Sequence, residues 1–253
     1  MEMGRDNALG NFLRRAAGAG APHGEAPRKH LVLFVAMVVF LVGQPLLAHR
    51  STRIAELTDL AFSLVYVYVL FIVFEARRQR RLAQALLVPV IVSKLVLYAT
   101  PASTQTSAAV VFHCTVIAFL GYTVSNILRS LFGRKVISGD DVLGAVCGYI
   151  LGGVAWGNVY ALVYRLVPEA FSVSSVIAPQ FDDLRLRQCL LDYFSFTTLT
   201  SIGYSDITPV GPPVYSLVWL EVMFGQFYMA VVVAQLVGLK LAQAISHSGP
   251  EPK

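Results

Sequence analysis

A run of hydroxyl-bearing residues around one glycine holds the most distinctive chemistry in this chain. It covers residues 197–206 and reads Thr-Thr-Leu-Thr-Ser-Ile-Gly-Tyr-Ser-Asp. Hydroxyl and backbone carbonyl oxygens are suitable ligands for hard cations, whereas covalent catalysis needs a nucleophile beside a base. The apolar segments contain no such pair, no His-Glu-x-x-His motif and no paired aspartates. We therefore expect no enzyme activity.

The composition of the 253-residue chain is that of a membrane protein. It is 56% hydrophobic and 14% charged, with a mean hydropathy of +0.63, whereas soluble domains carry about 25% charged residues. The net charge of +5 comes from basic clusters between apolar runs, a pattern typical of membrane flanks rather than of nucleic-acid binding. Cys114, Cys147 and Cys189 have no metal-ligand spacing, so we interpret them as buried apolar residues.

Six apolar runs approach the length of about 20 residues that a transmembrane helix needs. They cover residues 31–48, 54–74, 82–99, 108–128, 142–167 and 214–239. Residues 1–29 are polar and rich in Gly, Ala, Pro and Arg, which predicts a disordered tail. The sequence thus predicts an all-α membrane protein with six transmembrane helices.

The distribution of basic residues predicts the orientation. One alternating set of loops and tails holds fourteen lysines and arginines, and the other holds five. Because cytoplasmic loops are enriched in these residues, we expect both termini in the cytoplasm and a multi-pass protein of the plasma membrane.

The loop between the last two runs differs from the others. Within it, residues 188–200 are apolar and compatible with a helix, but thirteen residues are too few to cross a bilayer. We predict a re-entrant helix over 189–200, called the pore helix below, followed by an irregular segment, 201–205, called the filter.

The string at 197–206 resembles the pore signature of potassium channels, which reads Thr-Val-Gly-Tyr-Gly followed by Asp, after a Thr-x-Thr run. The resemblance covers residues 142–240 and is closest to small bacterial channels with a two-helix pore. It implies a potassium-selective channel that conducts K+ passively, with K+ as the permeant ion and no cofactor. Because the chain has one copy of the signature, and an ion needs ligands on all sides, the resemblance implies a homotetramer.

In such a filter, rings of backbone carbonyls replace the hydration shell of the ion. Carbonyls of successive residues face one axis only if the backbone alternates in handedness, which favours Gly203 at a positive φ. The side chains of Ile202 and Tyr204 are then expected to pack behind the filter. The implied ion-binding residues are Thr200, Ser201, Ile202, Gly203, Tyr204 and Ser205, with K+ itself held at Ser201, Ile202, Gly203 and Tyr204.

The resemblance also implies residues that support the filter. Tyr193 and Phe194 occupy the positions of an aromatic cuff, and Asp206 lies where it can bond that cuff. The pore helix directs its partly negative C-terminal end at the ion.

Thr197 and Thr198 of the pore helix and Glu221 of the sixth run are also expected to support the filter. A carboxyl in a membrane is costly and usually functional, so we expect Glu221 to bond the pore helix at Thr197 or Thr198. Gly225 is a candidate gating hinge, with close helix packing as the alternative.

Two departures from the potassium-channel pattern leave alternatives open. Ser205 replaces the last filter glycine, and a non-glycine residue at positive φ costs about 1 kcal/mol. Ser201 replaces a threonine, which keeps the hydroxyl but loses a methyl group. The first alternative is therefore a weakly selective monovalent cation channel. The second, a secondary transporter, usually needs inverted repeats and broken helices with polar pairs at mid-membrane, whereas this sequence shows one unrepeated re-entrant loop.

The predicted domains are a four-helix transmembrane domain over 30–130, a cytoplasmic linker over 131–141, a pore domain over 142–240 and a cytoplasmic tail over 241–253. The pore domain comprises the outer helix 142–167, the pore helix, the filter and the inner helix 213–239. Residues 108–128 contain no Arg or Lys, so we expect no voltage-sensor array. We also expect no cytoplasmic ligand-binding domain.

Four smaller features complete the predictions. Asp59 and Lys94 lie at equal depth, roughly 7–8 Å from the outer edge, and are expected to form an ion pair, with Glu56 as the alternative partner. His113 is either a pH sensor or a satisfied interior histidine. A glycine face on the fifth run should pack on the sixth run or on another subunit, and a capping box should begin the fifth helix. The residues of these last two features are Gly144, Gly148, Gly152, Gly153 and Gly157, and Ser138 and Asp141.

Overall fold

The computed structural model describes residues 29–48, 73–74, 77–99, 105–133 and 138–247. Helices dominate this part of the chain. In order, the elements are α1 Lys29–Ala48, α2 Arg77–Ala99, α3 Gln105–Phe132, α4 Gly139–Leu166, a 3-10 turn Pro168–Ala170, β1 Phe171–Val173, α5 Ala178–Asp182, α6 Leu184–Leu199, β2 Ile207–Pro209 and α7 Pro212–His247.

Four of the described helices are long and apolar enough to cross a membrane. These spans are His30–Leu47, Thr106–Phe132, Gly139–Leu166 and Pro212–Ala242. They correspond to the first, fourth, fifth and sixth predicted runs. The third run is helical within α2, which begins with an arginine cluster and is not among the four.

Other predictions fall on residues that the structure does not describe. These residues include nearly all of the second run and of the N-terminal tail. Asp59 and Glu56 are among them, so an ion pair with Lys94 stays a prediction.

The helices run past the predicted boundaries. The pore helix is α6 and begins at Leu184, because the Arg187 amide donates to the Asp183 carbonyl at 2.9 Å and so closes the first helical turn. The inner helix α7 continues to His247 instead of ending at 239. Helix α3 reaches Phe132 and α4 begins at Gly139, so both enter the segment predicted as a linker.

The capping box at the start of α4 is confirmed. The Asp141 amide donates to Ser138 Oγ at 3.2 Å, and the Ser138 amide donates to Asp141 Oδ2 at 2.9 Å. The neighbouring Asp140 binds His30 at the start of α1, with His30 Nδ1 2.7 Å from its Oδ2. This turn therefore fixes the beginnings of both helices to each other.

The larger hydrophobic core lies where the first three helices meet α4 and α7. Buried side chains from five helices meet there, represented by Met37, Leu87, Phe119, Leu151 and Tyr228. Helix α3 packs along α4, α2 packs on α3, and α1 packs on α4 and touches the pore helix. The helices before the outer helix α4 therefore form a bundle on its side.

His113 is an interior histidine, the second of the two predicted roles. It is buried, and its Nδ1 lies 3.0 Å from Asn158 Oδ1 of α4. The polar pair joins α3 to α4 inside the bundle.

The glycine face of α4 packs on the inner helix, as predicted, at two of its five residues. A Cβ on Gly148 would lie 2.5 Å from the Tyr228 hydroxyl, and one on Gly152 would lie 2.8 Å from the Phe224 ring, both on α7. Gly144 faces His30 of α1 instead, at 3.2 Å. Close approach of the outer and inner helices thus depends on Gly148 and Gly152.

Candidate functional site: the pore helix and filter

A second hydrophobic cluster positions the pore helix against α4. Leu191 and Phe194 of the pore helix lie in it beside Tyr160 of α4. The Phe194 ring centroid lies 4.9 Å from that of Tyr160 and 5.7 Å from that of Phe171. Phe194, predicted as a cuff residue, is therefore buried among aromatic rings. Of the two predicted cuff residues, Tyr193 is the one whose ring contacts the filter.

A short antiparallel ladder fixes the chain after the filter. Phe171 of β1 pairs with Pro209 of β2, and Val173 pairs with Ile207. Beside the ladder, the Ser174 amide donates to the Asp206 carbonyl at 2.9 Å. The sequence analysis missed these strands, because three residues are too few to show an alternating pattern.

Two glycines of α4 allow the pore helix to approach it closely. A Cβ on Gly153 would lie 2.6 Å from the Phe196 ring, and one on Gly157 would overlap the Asp192 carboxyl group. Larger residues at either position would push the pore helix, and with it the filter, away from α4.

The C-terminal end of the pore helix is fully capped. Helices leave their last four carbonyls without partners in the helix, and each of these four accepts a bond here. The donors are the Thr200 amide to Phe196 at 3.1 Å, the Ile202 amide to Thr197 at 2.8 Å, the Ser201 amide to Thr198 at 2.9 Å and the Tyr149 hydroxyl to Leu199 at 3.3 Å. The first filter amides are therefore held by the pore helix.

The filter backbone alternates in handedness. Ser201, Gly203 and Ser205 have φ values of 59°, 59° and 65°, while Ile202 and Tyr204 between them are not in the positive-φ region. Gly203 and Ser205 were expected there, but Ser201 was not. This alternation is what a strand needs if its successive carbonyls are to face one axis.

Thr200, predicted among the ion-binding residues, sits just before this alternation. Its Oγ1 donates to the Phe196 carbonyl at 2.6 Å. Thr197 makes a similar bond within the pore helix, from Oγ1 to the Phe194 carbonyl at 2.9 Å. Both hydroxyls therefore bind the helix itself.

The outer end of the filter is tied to the pore helix by Tyr193. Its hydroxyl donates to Asp206 Oδ2 at 2.9 Å, which confirms the expected bond between Asp206 and the cuff. Its ring is parallel to that of Tyr204, with centroids 6.3 Å apart. The side chains of Ile202 and Tyr204 remain 56% and 64% exposed, so within one chain they are only partly covered.

The inner end of the filter contacts the inner helix. Gln226 Nε2 donates to Ser201 Oγ at 3.0 Å. The sequence analysis missed this contact, although an amide side chain in an apolar helix was a visible signal.

Glu221 of α7 links three helices of the site. It is completely buried, with Oε2 2.5 Å from the Tyr160 hydroxyl of α4 and Oε1 2.5 Å from the Ser195 hydroxyl of the pore helix. The expectation that it binds Thr197 or Thr198 is wrong, because Glu221 lies level with Ser195, earlier along the pore helix. Its predicted place against the pore helix is nevertheless correct.

Gly225 lies one turn further along α7, against the last residue of the pore helix. A Cβ there would overlap the Leu199 carbonyl oxygen and lie 3.1 Å from Leu199 Cδ1. Helix α7 continues through Gly225 without a break. Close packing accounts for this glycine, and its role as a gating hinge stays a prediction.

Comparison with known proteins points to the same region. A family model described as "Ion channel" matches residues 191–239, from the pore helix through the filter to the inner helix. The match indicates an ion channel. Together with the four described helices that are long and apolar enough to cross a membrane, it indicates a membrane protein. No curated protein and no solved structure matched the chain.

Proposed function

We propose that this chain is one subunit of a homotetrameric potassium channel, with K+ passing along the filter. The observation that carries the proposal is the backbone alternation at Ser201, Gly203 and Ser205, directly after a capped pore helix. Carbonyls arranged in this way replace the water around a dehydrated potassium ion. The ion needs no cofactor.

The tetramer is proposed from the single filter and from the surface around it. One strand provides ligands on one side of an ion, so four strands must surround the axis. The inner helix exposes large apolar side chains, including Trp219 at 66% and Phe227 at 65%. We assign these side chains, with Ile202 and Tyr204, to contacts with neighbouring subunits and membrane lipid.

The membrane placement follows the sequence pattern. We propose six spans, both termini in the cytoplasm and a location in a bacterial inner membrane. In this orientation α4 and α7 flank the pore, and the pore helix enters from outside.

Weak selectivity is the second candidate, because two serines occupy left-handed positions. Each costs about 1 kcal/mol relative to glycine. Ser205 Oγ also lies 3.4 Å from the Gly203 carbonyl oxygen, where it competes with an ion for that oxygen. The strain and the hydroxyl of Ser205 weaken the outer ion site, whereas Ser201 lies at the inner end of the filter.

Flux through the purified protein in liposomes tests the channel proposal. We expect K+ efflux that barium blocks, and a reduced efflux in Gly203→Ala, because alanine at a φ of 59° adds a third strained residue to a filter that already has Ser201 and Ser205 in this region. Gly238→Ala is the matched control, since a Cβ there meets nothing within 4 Å. The proposal fails if the folded wild-type tetramer shows no K+ flux, or if barium leaves its K+ flux unchanged.

A further inference from the structure

A cavity of about 470 Å³ lies between α1 and the pore helix. The second half of α1 contributes Leu41 and Gln44, the short helix α5 contributes Gln180, and the pore helix contributes Cys189, Asp192 and Tyr193. Its volume is within the range of about 300–1,000 Å³ that is typical of small-molecule sites. Ligand sites of this size combine a mostly apolar lining with a few polar groups, as this cavity does.

The polar part of this lining has one sign of charge. Asp192 is the one carboxyl group in the described lining, which includes no basic side chain. Asp192 is only 6% exposed. Its Oδ1 accepts a hydrogen bond from Gln188 Nε2 at 3.0 Å and packs against Gly157 of α4. A buried carboxyl in an apolar cavity complements a cationic hydrogen-bond donor.

One side chain that lines the cavity also contacts the filter. Tyr193, which lines it, also holds Asp206 through its hydroxyl and stacks on Tyr204. A molecule in the cavity that contacts Tyr193 therefore acts on the outer end of the filter.

We propose that this cavity binds a small amphipathic amine, with the ammonium group at Asp192 and the alkyl chain along α1. Occupancy changes K+ conduction through Tyr193, a part of the inference that rests on the proposed channel function. Binding itself does not depend on conduction, so it is measured separately.

The native Cys189 reports occupancy. The full-length protein in liposomes is treated with N-ethylmaleimide, and mass spectrometry follows the labelling of Cys189 and of the exposed Cys114 on α3. We expect octylamine, at about four times its Kd, to slow the labelling of Cys189 relative to Cys114 by about fivefold, because occupancy slows labelling by one plus the ratio of concentration to Kd. Octan-1-ol, with the same chain and no charge, is expected to protect much less.

Two variants test the assignment of the groups. In Asp192→Asn, protection by octylamine should fall to the level of octan-1-ol. In Leu41→Trp, which fills the cavity from the α1 side, Cys189 should label slowly from the start and octylamine should add nothing. If Asp192→Asn fails to fold, Leu41→Trp still tests the site.

Three results overturn the proposal. The first is equal labelling of Cys189 with and without octylamine, and the second is protection by octan-1-ol equal to that by octylamine. The third is no labelling of Cys189 while Cys114 reacts, which would mean that lipid or another subunit fills the cavity. If octylamine protects Cys189 but the protein shows no K+ flux, the binding site stands and the channel function fails. If the protein conducts K+ but octylamine does not protect Cys189, the channel function stands and the binding site fails.

Discussion

The side chains of Glu221 and Ser195 meet with their oxygens 2.5 Å apart, and the same Ser195 hydroxyl lies 2.8 Å from the Gly153 carbonyl. A hydroxyl has one hydrogen, and a carbonyl can only accept. Both contacts are hydrogen bonds at once if Ser195 donates to Gly153 while a protonated Glu221 donates to Ser195. We therefore expect Glu221 to be neutral.

Glu221→Gln tests this protonation state. The amide group would donate to Ser195 and accept from Tyr160, so we expect the tetramer to keep its thermal stability and its K+ flux. Glu221→Ala removes the acceptor of the buried Tyr160 hydroxyl, while Ser195 keeps its bond to Gly153, so this variant should destabilise the protein by about 1–3 kcal/mol. Thermal unfolding in detergent compares the two variants. Equal damage in both would mean that Glu221 is charged.

Ser205→Gly should increase selectivity for K+ over Na+. Glycine has no Cβ, so the substitution removes the left-handed strain of about 1 kcal/mol at a φ of 65°. It also removes the hydroxyl beside the Gly203 carbonyl. Ser205→Ala, which loses the hydroxyl but keeps the strain, separates the two effects. Permeability ratios that are unchanged in both variants would remove Ser205 as a cause of weak selectivity.

Gly225→Ala should separate the inner helix from the pore helix. The added Cβ meets the Leu199 carbonyl, and overpacking of this kind costs about 1–3 kcal/mol. In Gly238→Ala, on the same helix but in open space, the better helix propensity of alanine should stabilise by up to about 1 kcal/mol. Thermal unfolding measures the difference. If both variants behave alike, packing does not explain Gly225, and the hinge role becomes the better account.

Tyr193→Phe should loosen the outer end of the filter. It removes the bond to Asp206 but keeps the ring that stacks on Tyr204. Hydrogen bonds to charged groups contribute about 1.5–3 kcal/mol, so we expect K+ flux to decline faster during sustained efflux. Asp206→Asn retains an acceptor for Tyr193 and should be milder. A flux decline in Tyr193→Phe that matches the wild type would show that this bond does not hold the filter open.

The sequence predicted those features that depend on local pattern. The short apolar stretch between two spans, the hydroxyl-rich string after it and the capping box at Ser138 are each defined by residues close together in the chain. The glycine face of α4 also follows from spacing alone, because residues four apart share one side of a helix.

Other features depend on how separate helices align, which periodicity does not encode. The partner of Glu221 is set by the axial alignment of α7 with the pore helix, so Ser195 could not be chosen over Thr197 or Thr198 in advance. The same alignment brings Gln226 to Ser201. The packing of α1 on the start of α4 depends on a contact between His30 and Asp140, residues far apart in the chain.

The most direct test of the filter is the reversal potential of the purified tetramer in a planar bilayer, with K+ and Na+ gradients in opposite directions. If four filters surround a dehydrated K+, the reversal potential should follow the K+ gradient, at about 59 mV for each tenfold change in K+ concentration. A reversal potential near zero, or one that follows Na+ equally, would contradict potassium selectivity.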